Sequence, residues 1–438
     1  MHASQHAHEN FAGYRHGIRD NLAQFLHQLV QVFLVGLTLG MMRTVVPALA
    51  ETEFGVPKGS FLLLMAFVVA FGFVKGTLNF VAGRLSERLG RKTVLLLGWA
   101  SAIPIPFMIL YAPSWGWIVA ATVLLGMNQG FTWSMTQTAK LDITRADQRG
   151  LTMGLNEFSG YVGVAVAGII TGYLATALGP RMGLFVFGAV VIVTALVLTA
   201  LWVKETLAWA HAEGARHAAG KSTGPTPRFA QNISGQPTTW EVFTLMSWRD
   251  KRMAALSQAG LVEKFVDALI WVVYPVYLYE RGLSLAHIGW VVGVYGFVWG
   301  GLQFFTGRLS DRIGRQKPIV WGMWICGAGV AMMLAGEAVW WWIASAAVTG
   351  FGMALLYPNL SAAVADIANP NWRGSAIGIY RFWRDLGYGI GALLLGLVAH
   401  LTGRLESGLW FVAIAMALSG LVVQIWGEET HPRLNPAG

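Results

Sequence analysis

Nine ionisable residues stand inside long apolar runs: Arg43, Lys75, Glu157, Glu263, Lys264, Asp267, Arg381, Arg384 and Asp385. An ionisable group at the centre of a bilayer costs at least about 2.5 kcal/mol unless partnered, so each is a functional candidate. Their chemistry is proton exchange, ion binding and charge-pair gating. Glu157 stands eight residues after Arg149, roughly 12 Å into the membrane at about 1.5 Å per helical residue. A lone carboxyl at that depth suits proton exchange near neutral pH; with Asn156 beside it, a structural hydrogen bond is the alternative. Glu263 and Asp267 are four apart, and Lys264 and Asp267 three apart, so each pair shares a helix face. They serve substrate or coupling ion, or they pair within the helix. Arg381 and Asp385 are four apart and pair in the same way, with Arg384 adjacent. A net positive cluster with Lys75 favours an anionic substrate or one with a carboxylate; charges that cancel pairwise would only gate. Arg43, four residues before Pro47, is near enough to a span end to snorkel. Asn128, Trp133 and Gln137 in one run, and Tyr357 and Asn359 in another, line a cavity or pack helices.

Bond-making chemistry has no support. The chain lacks His-Glu-x-x-His, Gly-x-Ser-x-Gly and a phosphate-binding glycine loop, so no catalytic residues and no cofactor are expected. Cys326 is the single cysteine, which excludes a disulfide framework and a cysteine metal site. His2, His6, His8 and His16 stand in a polar tail with no second ligand cluster, and no metal site is expected.

These residues need a membrane to hold them. Of 438 residues 55% are hydrophobic and 12% charged, against roughly 25% charged in soluble chains. Runs long enough to span, about 20 residues, occur twelve times, at 24–49, 60–82, 93–112, 116–139, 150–176, 183–203, 254–279, 287–306, 318–337, 340–364, 374–400 and 408–426. Of the 31 Lys and Arg, 22 fall on alternate loops and both tails, 4 on the opposite loops and 5 in spans. That asymmetry puts both termini in the cytoplasm of a plasma-membrane protein, and explains the net charge of +9 without nucleic acid. The polar start Met1-His2-Ala3-Ser4 is not expected to be a cleavable signal. The expected organisation is a tail at 1–23, six spans in 24–203, a linker at 204–250, six spans in 251–426 and a tail at 427–438. Lys204 to Glu213 could extend the sixth span, and residues 214–237 read as a flexible linker. Trp240, Phe243, Leu245 and Trp248 form an interfacial amphipathic segment, Trp340-Trp341-Trp342 an outer aromatic belt, and Gly168 with Gly172 a close-packing pair.

The halves repeat each other. Gly83-Arg84-Leu85-Ser86-Glu87-Arg88-Leu89-Gly90-Arg91-Lys92 returns 224 residues on as Gly307-Arg308-Leu309-Ser310-Asp311-Arg312-Ile313-Gly314-Arg315-Gln316, identical at seven of ten positions. Gly72, Gly76, Asp142, Arg149 and Gly150 map by the same offset onto Gly296, Gly300, Asp366, Arg373 and Gly374, and Glu157 onto Arg381. The pattern Gly-x-x-x-(Asp/Glu)-Arg-x-Gly-Arg-(Lys/Arg) resembles the signature loop of the major facilitator superfamily of secondary transporters; only Gln316 departs from it.

The resemblance covers about residues 24–426 and implies an all-α integral membrane protein. Its two six-helix bundles are related by a pseudo-two-fold axis along the membrane normal. It implies alternating access in a monomer, with a small-molecule substrate between the halves and a proton as coupling ion. Gly83, Glu87, Arg88, Gly90 and Arg91, with Gly307, Asp311, Arg312, Gly314 and Arg315, would stabilise one state. Spans two and eleven meet in this fold, so Lys75 and Asp385 would bridge the halves, with Arg384 beside them. Span seven lines the cavity, which puts Glu263, Lys264 and Asp267 there. Glu157 is the first candidate for the coupling proton, Asp267 or Glu263 the next. Drug exporters of this family carry Arg-x-x-Gln-Gly in span four, where Gly126 stands here, and Gly-Pro-x-x-Gly-Gly in span five, where residues 167–172 lack the proline. Both departures weigh against drug export. An uncoupled facilitator, a multidrug exporter and a transporter-like receptor are the alternatives.

Overall fold

The computed structural model describes residues 13–44, 53–55, 61–218 and 237–434, with the backbone alone at 43–44, 61–68, 217–218, 271–272 and 285–286. His2, His6 and His8 lie outside the described residues, as does the side chain of Arg43. Over the described residues, a helix runs through each of the twelve apolar runs. Spans one to six are Leu22–Thr44, Phe61–Leu89, Arg91–Leu110, Trp115–Ile143, Arg149–Leu178 and Pro180–Trp202. Span seven runs through Lys251–Ala268, a π-turn Leu269–Val273 and Tyr274–Glu280. Spans eight to twelve are Leu285–Ile313, Gln316–Met332, Val339–Ile367, Arg373–Thr402 and Glu406–Trp426. Eight of these helices are long and apolar enough to cross a membrane by length and composition alone. Span nine has 17 residues, ending earlier than its apolar run. Spans four and seven are diluted by buried polar side chains.

Apolar side chains gather into two cores, one around Trp99, Ile109 and Phe131 in the first half, the other around Tyr274, Met323 and Trp342 in the second. The halves meet where span two lies along span eleven and span five along span eight. Glycine permits this. A Cβ on Gly83 would stand 2.5 Å from the Gly374 carbonyl oxygen, and one on its repeat mate Gly307 2.2 Å from that of Gly150. Gly90 and Gly314 turn the chain after spans two and eight at φ of 88° and 97°, a conformation that side chains resist.

Two carboxylates written once per half secure those turns. Glu205 accepts the amides of Arg91 and Lys92 at 2.9 and 3.1 Å, and Glu429 those of Arg315 and Gln316 at 2.7 and 3.3 Å. Each occupies a helix N-terminus, where the orphan amides and the dipole favour an anion. Glu205 also takes the amides of Thr206 and Leu207, both at 2.9 Å. These bonds turn the chain out of span six, so Leu207–Ala218 is a separate helix and not an extension of that span.

In the linker's second part, Thr238 and Glu241 form a capping box on Thr239–Thr244. Trp240 and Trp248 are exposed while Val242, Leu245 and Met246 are buried, which is the amphipathic pattern of a surface segment. Two expectations are corrected. Trp342 is buried and donates to the Met333 carbonyl at 3.1 Å, because its indole NH needs a partner once buried, so only Trp340 of that triplet is strongly exposed. Gly172 has open space where a Cβ would stand and brings no helix close.

Candidate functional site

The two signature loops close one end of the bundle. Glu87 accepts the amide of Ser375 at 2.7 Å, and Asp311 those of Gly150 and Leu151 at 2.9 and 2.8 Å. The acid of each loop thus receives the first amides of a span in the opposite half. Behind them, Arg91 pairs with Asp142 at 2.9 Å and Arg315 with Asp366 at 3.0 Å. Arg149 reaches Asp366 at 2.9 Å across the halves, and Arg373 approaches Asp142 at 3.9 Å. Arg88 and Arg312 point outward and are exposed.

Glu213, on the linker helix, was not singled out from the sequence. It joins Arg149 at 2.9 Å through one oxygen and Arg373 at 2.9 Å through the other. Those arginines are repeat mates, whereas residue 213 has no acidic mate at the same offset. Burial alone would raise its carboxyl, but Arg373 and Arg149 outweigh that and hold it at about 2. The 224-residue offset would have found Glu205 and Glu429; nothing in the spacing marks Glu213.

Deeper in, Asp385 of span eleven gathers residues of spans two and eleven. Its Oδ2 lies 3.5 Å from Lys75 Nζ and 3.5 Å from Arg381 Nη2, and accepts from Asn79 Nδ2 at 2.7 Å. Its Oδ1 faces Arg384 Nε at 3.2 Å. Arg381 also donates to Gln137 Oε1 at 2.9 Å and Asn79 Oδ1 at 3.2 Å, tying the halves together. Asn79, which is uncharged, was missed by reasoning confined to charges.

The carboxyls expected to carry a proton have different surroundings. Glu157 collects Trp133 Nε1 at 3.0 Å, Asn156 Nδ2 at 2.9 Å and Gln137 Nε2 on a single oxygen. Asp267 binds Lys264 at 2.8 Å, Tyr295 at 2.9 Å and Tyr357 at 3.2 Å, so it is occupied by structural bonds. Glu263 is fully buried, and among the described residues no donor reaches either of its oxygens. Its i,i+4 spacing to Asp267 does not make a bonded pair.

Span ten is shaped by Pro358, which leaves the carbonyl four residues earlier without its helical donor. Thr306 of span eight donates to that carbonyl, Ala354, at 2.6 Å. Tyr357 is thereby held under Lys264, whose ammonium stands 3.8 Å from the ring centroid. Asn359 donates to its own helix at Leu355. Asn128, expected in the cavity, instead donates to the Gly98 carbonyl at 2.9 Å, because it faces span three and welds the first half.

Comparison with known proteins agrees with this architecture. The family model described as Major Facilitator Superfamily matches residues 29–262 and 256–437. The uncharacterised MFS-type transporter STM4428 of Salmonella typhimurium is 23% identical over 406 residues, 90% of this chain and 93% of that protein. The human organic anion transporter MFSD10 superposes with a TM-score of 0.74 at 17% identity, over 92% of this chain and 99% of that one. The proton:xylose symporter XylE superposes with a TM-score of 0.72 at 16% identity, over 94% and 98%. The fold is therefore that of a multi-pass membrane transporter and not of an enzyme, and the chain belongs to the Major Facilitator Superfamily.

Proposed function

We propose that this protein is a secondary transporter that moves a small organic anion together with a proton, by alternating access. The signature-loop end faces the cytoplasm of the plasma membrane, as the distribution of Lys and Arg supports. The observation that carries the reading is Asp385, one carboxylate within 3.5 Å of Lys75, Arg381 and Arg384. Away from the loop end, the spans bury Lys75, Lys264, Arg381 and Arg384 against Glu157, Glu263, Asp267 and Asp385. Cations and carboxylates balance with every carboxylate ionised, and cations exceed by one with a proton on Glu263. A substrate anion offsets that excess, so proton and anion enter together on grounds of charge. That MFSD10 is an organic anion transporter and XylE a proton symporter fits this reading.

Glu263 replaces Glu157 as first candidate for the coupling proton. An ionised carboxylate buried without donors carries a heavy desolvation cost, whereas Glu157 has three donors on one oxygen. Substrate binds between the halves at Lys75, Lys264 and Arg384, and the loop-end network opens as the halves rock.

The test is uptake into proteoliposomes. Glu263→Gln abolishes uptake driven by a pH gradient and leaves exchange of labelled for unlabelled substrate within about threefold of the parent. Retained gradient-driven uptake with the wild-type pH profile overturns the assignment.

A further inference from the structure

Each cation at the proposed anion site lies over an aromatic ring. Lys264 Nζ stands 3.8 Å from the Tyr357 centroid and 4.7 Å from that of Tyr388. Arg384 is 4.9 Å from Tyr357, and Lys75 5.3 Å from Trp133. The rings continue across the seam between the halves. Trp133 packs on Tyr161 at 5.7 Å, Tyr161 on Trp299 at 4.1 Å, and Trp299 on Tyr357 at 4.9 Å. Tyr161 belongs to the first half, Trp299 and Tyr357 to the second. Rocking of the halves must part Tyr161 from Trp299, and that exposes two aromatic faces beside the cations.

The two seams differ at this level. On span two, a Cβ at Gly72 would stand 2.9 Å from Gly389 N and one at Gly76 3.1 Å from Leu386 N, so spans two and eleven are in backbone contact. At the repeat-equivalent positions of span eight, Gly296 has nothing within 4 Å, and Gly300 meets only the Tyr161 Cβ at 3.6 Å. The seam of spans five and eight is the looser one, and it carries the rings. Two buried donors beside it, Trp299 Nε1 and Arg384 Nη1, have no acceptor among the described residues.

From this we infer that the transported anion is a planar aromatic carboxylate. Its carboxylate takes the place beside Lys264 and Arg384, and its ring slides between Tyr161 and Trp299 at the seam of spans five and eight. A flat ring keeps the stacking and cation–ring contacts that separation of the halves breaks, which a saturated ring of the same size and charge cannot do. This rests on the anion reading above and narrows it.

The experiment compares benzoate with cyclohexanecarboxylate, equal in charge and close in size, and adds benzamide as an uncharged planar probe. Binding to the purified full-length protein is read by thermal shift and by tryptophan fluorescence. Benzoate is expected to bind about tenfold more tightly than cyclohexanecarboxylate, a difference of about 1.4 kcal/mol, with benzamide weaker than both. Trp299→Leu and, separately, Tyr161→Leu are expected to bring the two carboxylates within about twofold of each other. Equal affinity for both carboxylates in the wild-type protein overturns the aromatic inference and leaves the anion reading standing. Benzamide binding as well as benzoate, or no binding by any probe, overturns both. The wild-type comparison stands even where a variant fails to fold.

Discussion

Asp385 is the residue on which the interior charges turn, because it alone answers three cations. Asp385→Asn leaves Lys75, Arg381 and Arg384 facing one another, and loss of one partner from a buried pair costs about 3–5 kcal/mol. A marked fall in melting temperature is expected, against a small one for Glu157→Gln. The double exchange Lys75→Asp with Asp385→Lys is expected to recover only part of the loss. The new lysine at 385 still faces two arginines, and the recovered fraction measures the share of the Lys75 bond. Much of this was legible in the sequence: Arg381 and Asp385 by their four-residue spacing, Lys75 by its depth. The difference between Glu263 and Asp267 was not. Both sit on one helix face, and only the folded chain brings Tyr295 and Tyr357 to Asp267 and no donor to Glu263.

At the level of elements, helix ends and one short helix decide how the loop end closes. Glu87 and Asp311 were recognisable by motif, and both receive amides from the facing half. The linker helix Leu207–Ala218 was not recognisable, since its turn away from span six depends on Glu205 reaching back to Arg91. Glu213→Gln removes the charge that holds Arg149 and Arg373 together. Faster amide hydrogen exchange is expected at residues 149–151 and 373–375, with exchange at the midplane of the spans changed little. The bridge has a defined pH range. Glu213 sits at about 2 against an ordinary 4.5, so its contribution is complete above about 4.5 and is lost as pH falls toward 2. That shift corresponds to about 3 kcal/mol. Protection of the loop-end amides, corrected for the intrinsic exchange rate, is therefore expected to owe no pH dependence to Glu213 between pH 5 and 8; titration there falls to His16 and His431, whose imidazoles burial pushes below 6.5. A Glu213→Gln variant whose loop-end pH profile between 8 and 5 differs from that of the parent would contradict this.

Across the whole molecule, twelve spans in two equivalent halves followed from the apolar runs and the repeated loop, and the family comparison bears that out. What the repeat hid is where the halves stop being equivalent. Gly72 and Gly296 are mates in sequence, yet one touches the opposite half and the other has open space. Gly72→Ala is expected to cut transport severalfold or more and Gly296→Ala to leave it within twofold, measured as initial uptake rate. Equal effects would mean that both seams carry the same load.

A chain built as two copies of one unit holds most of its parts in duplicate, and a change to one member unbalances it against the other. The junction between the copies is written once. Because Glu213 stands there and grips both halves, a single substitution in Leu207–Ala218 acts on the two equally and at a distance from the substrate. The grip on the halves and the proposed substrate site thus lie in different stretches of the chain, and a change at Glu213 is expected to alter how fast the protein cycles without altering what it carries.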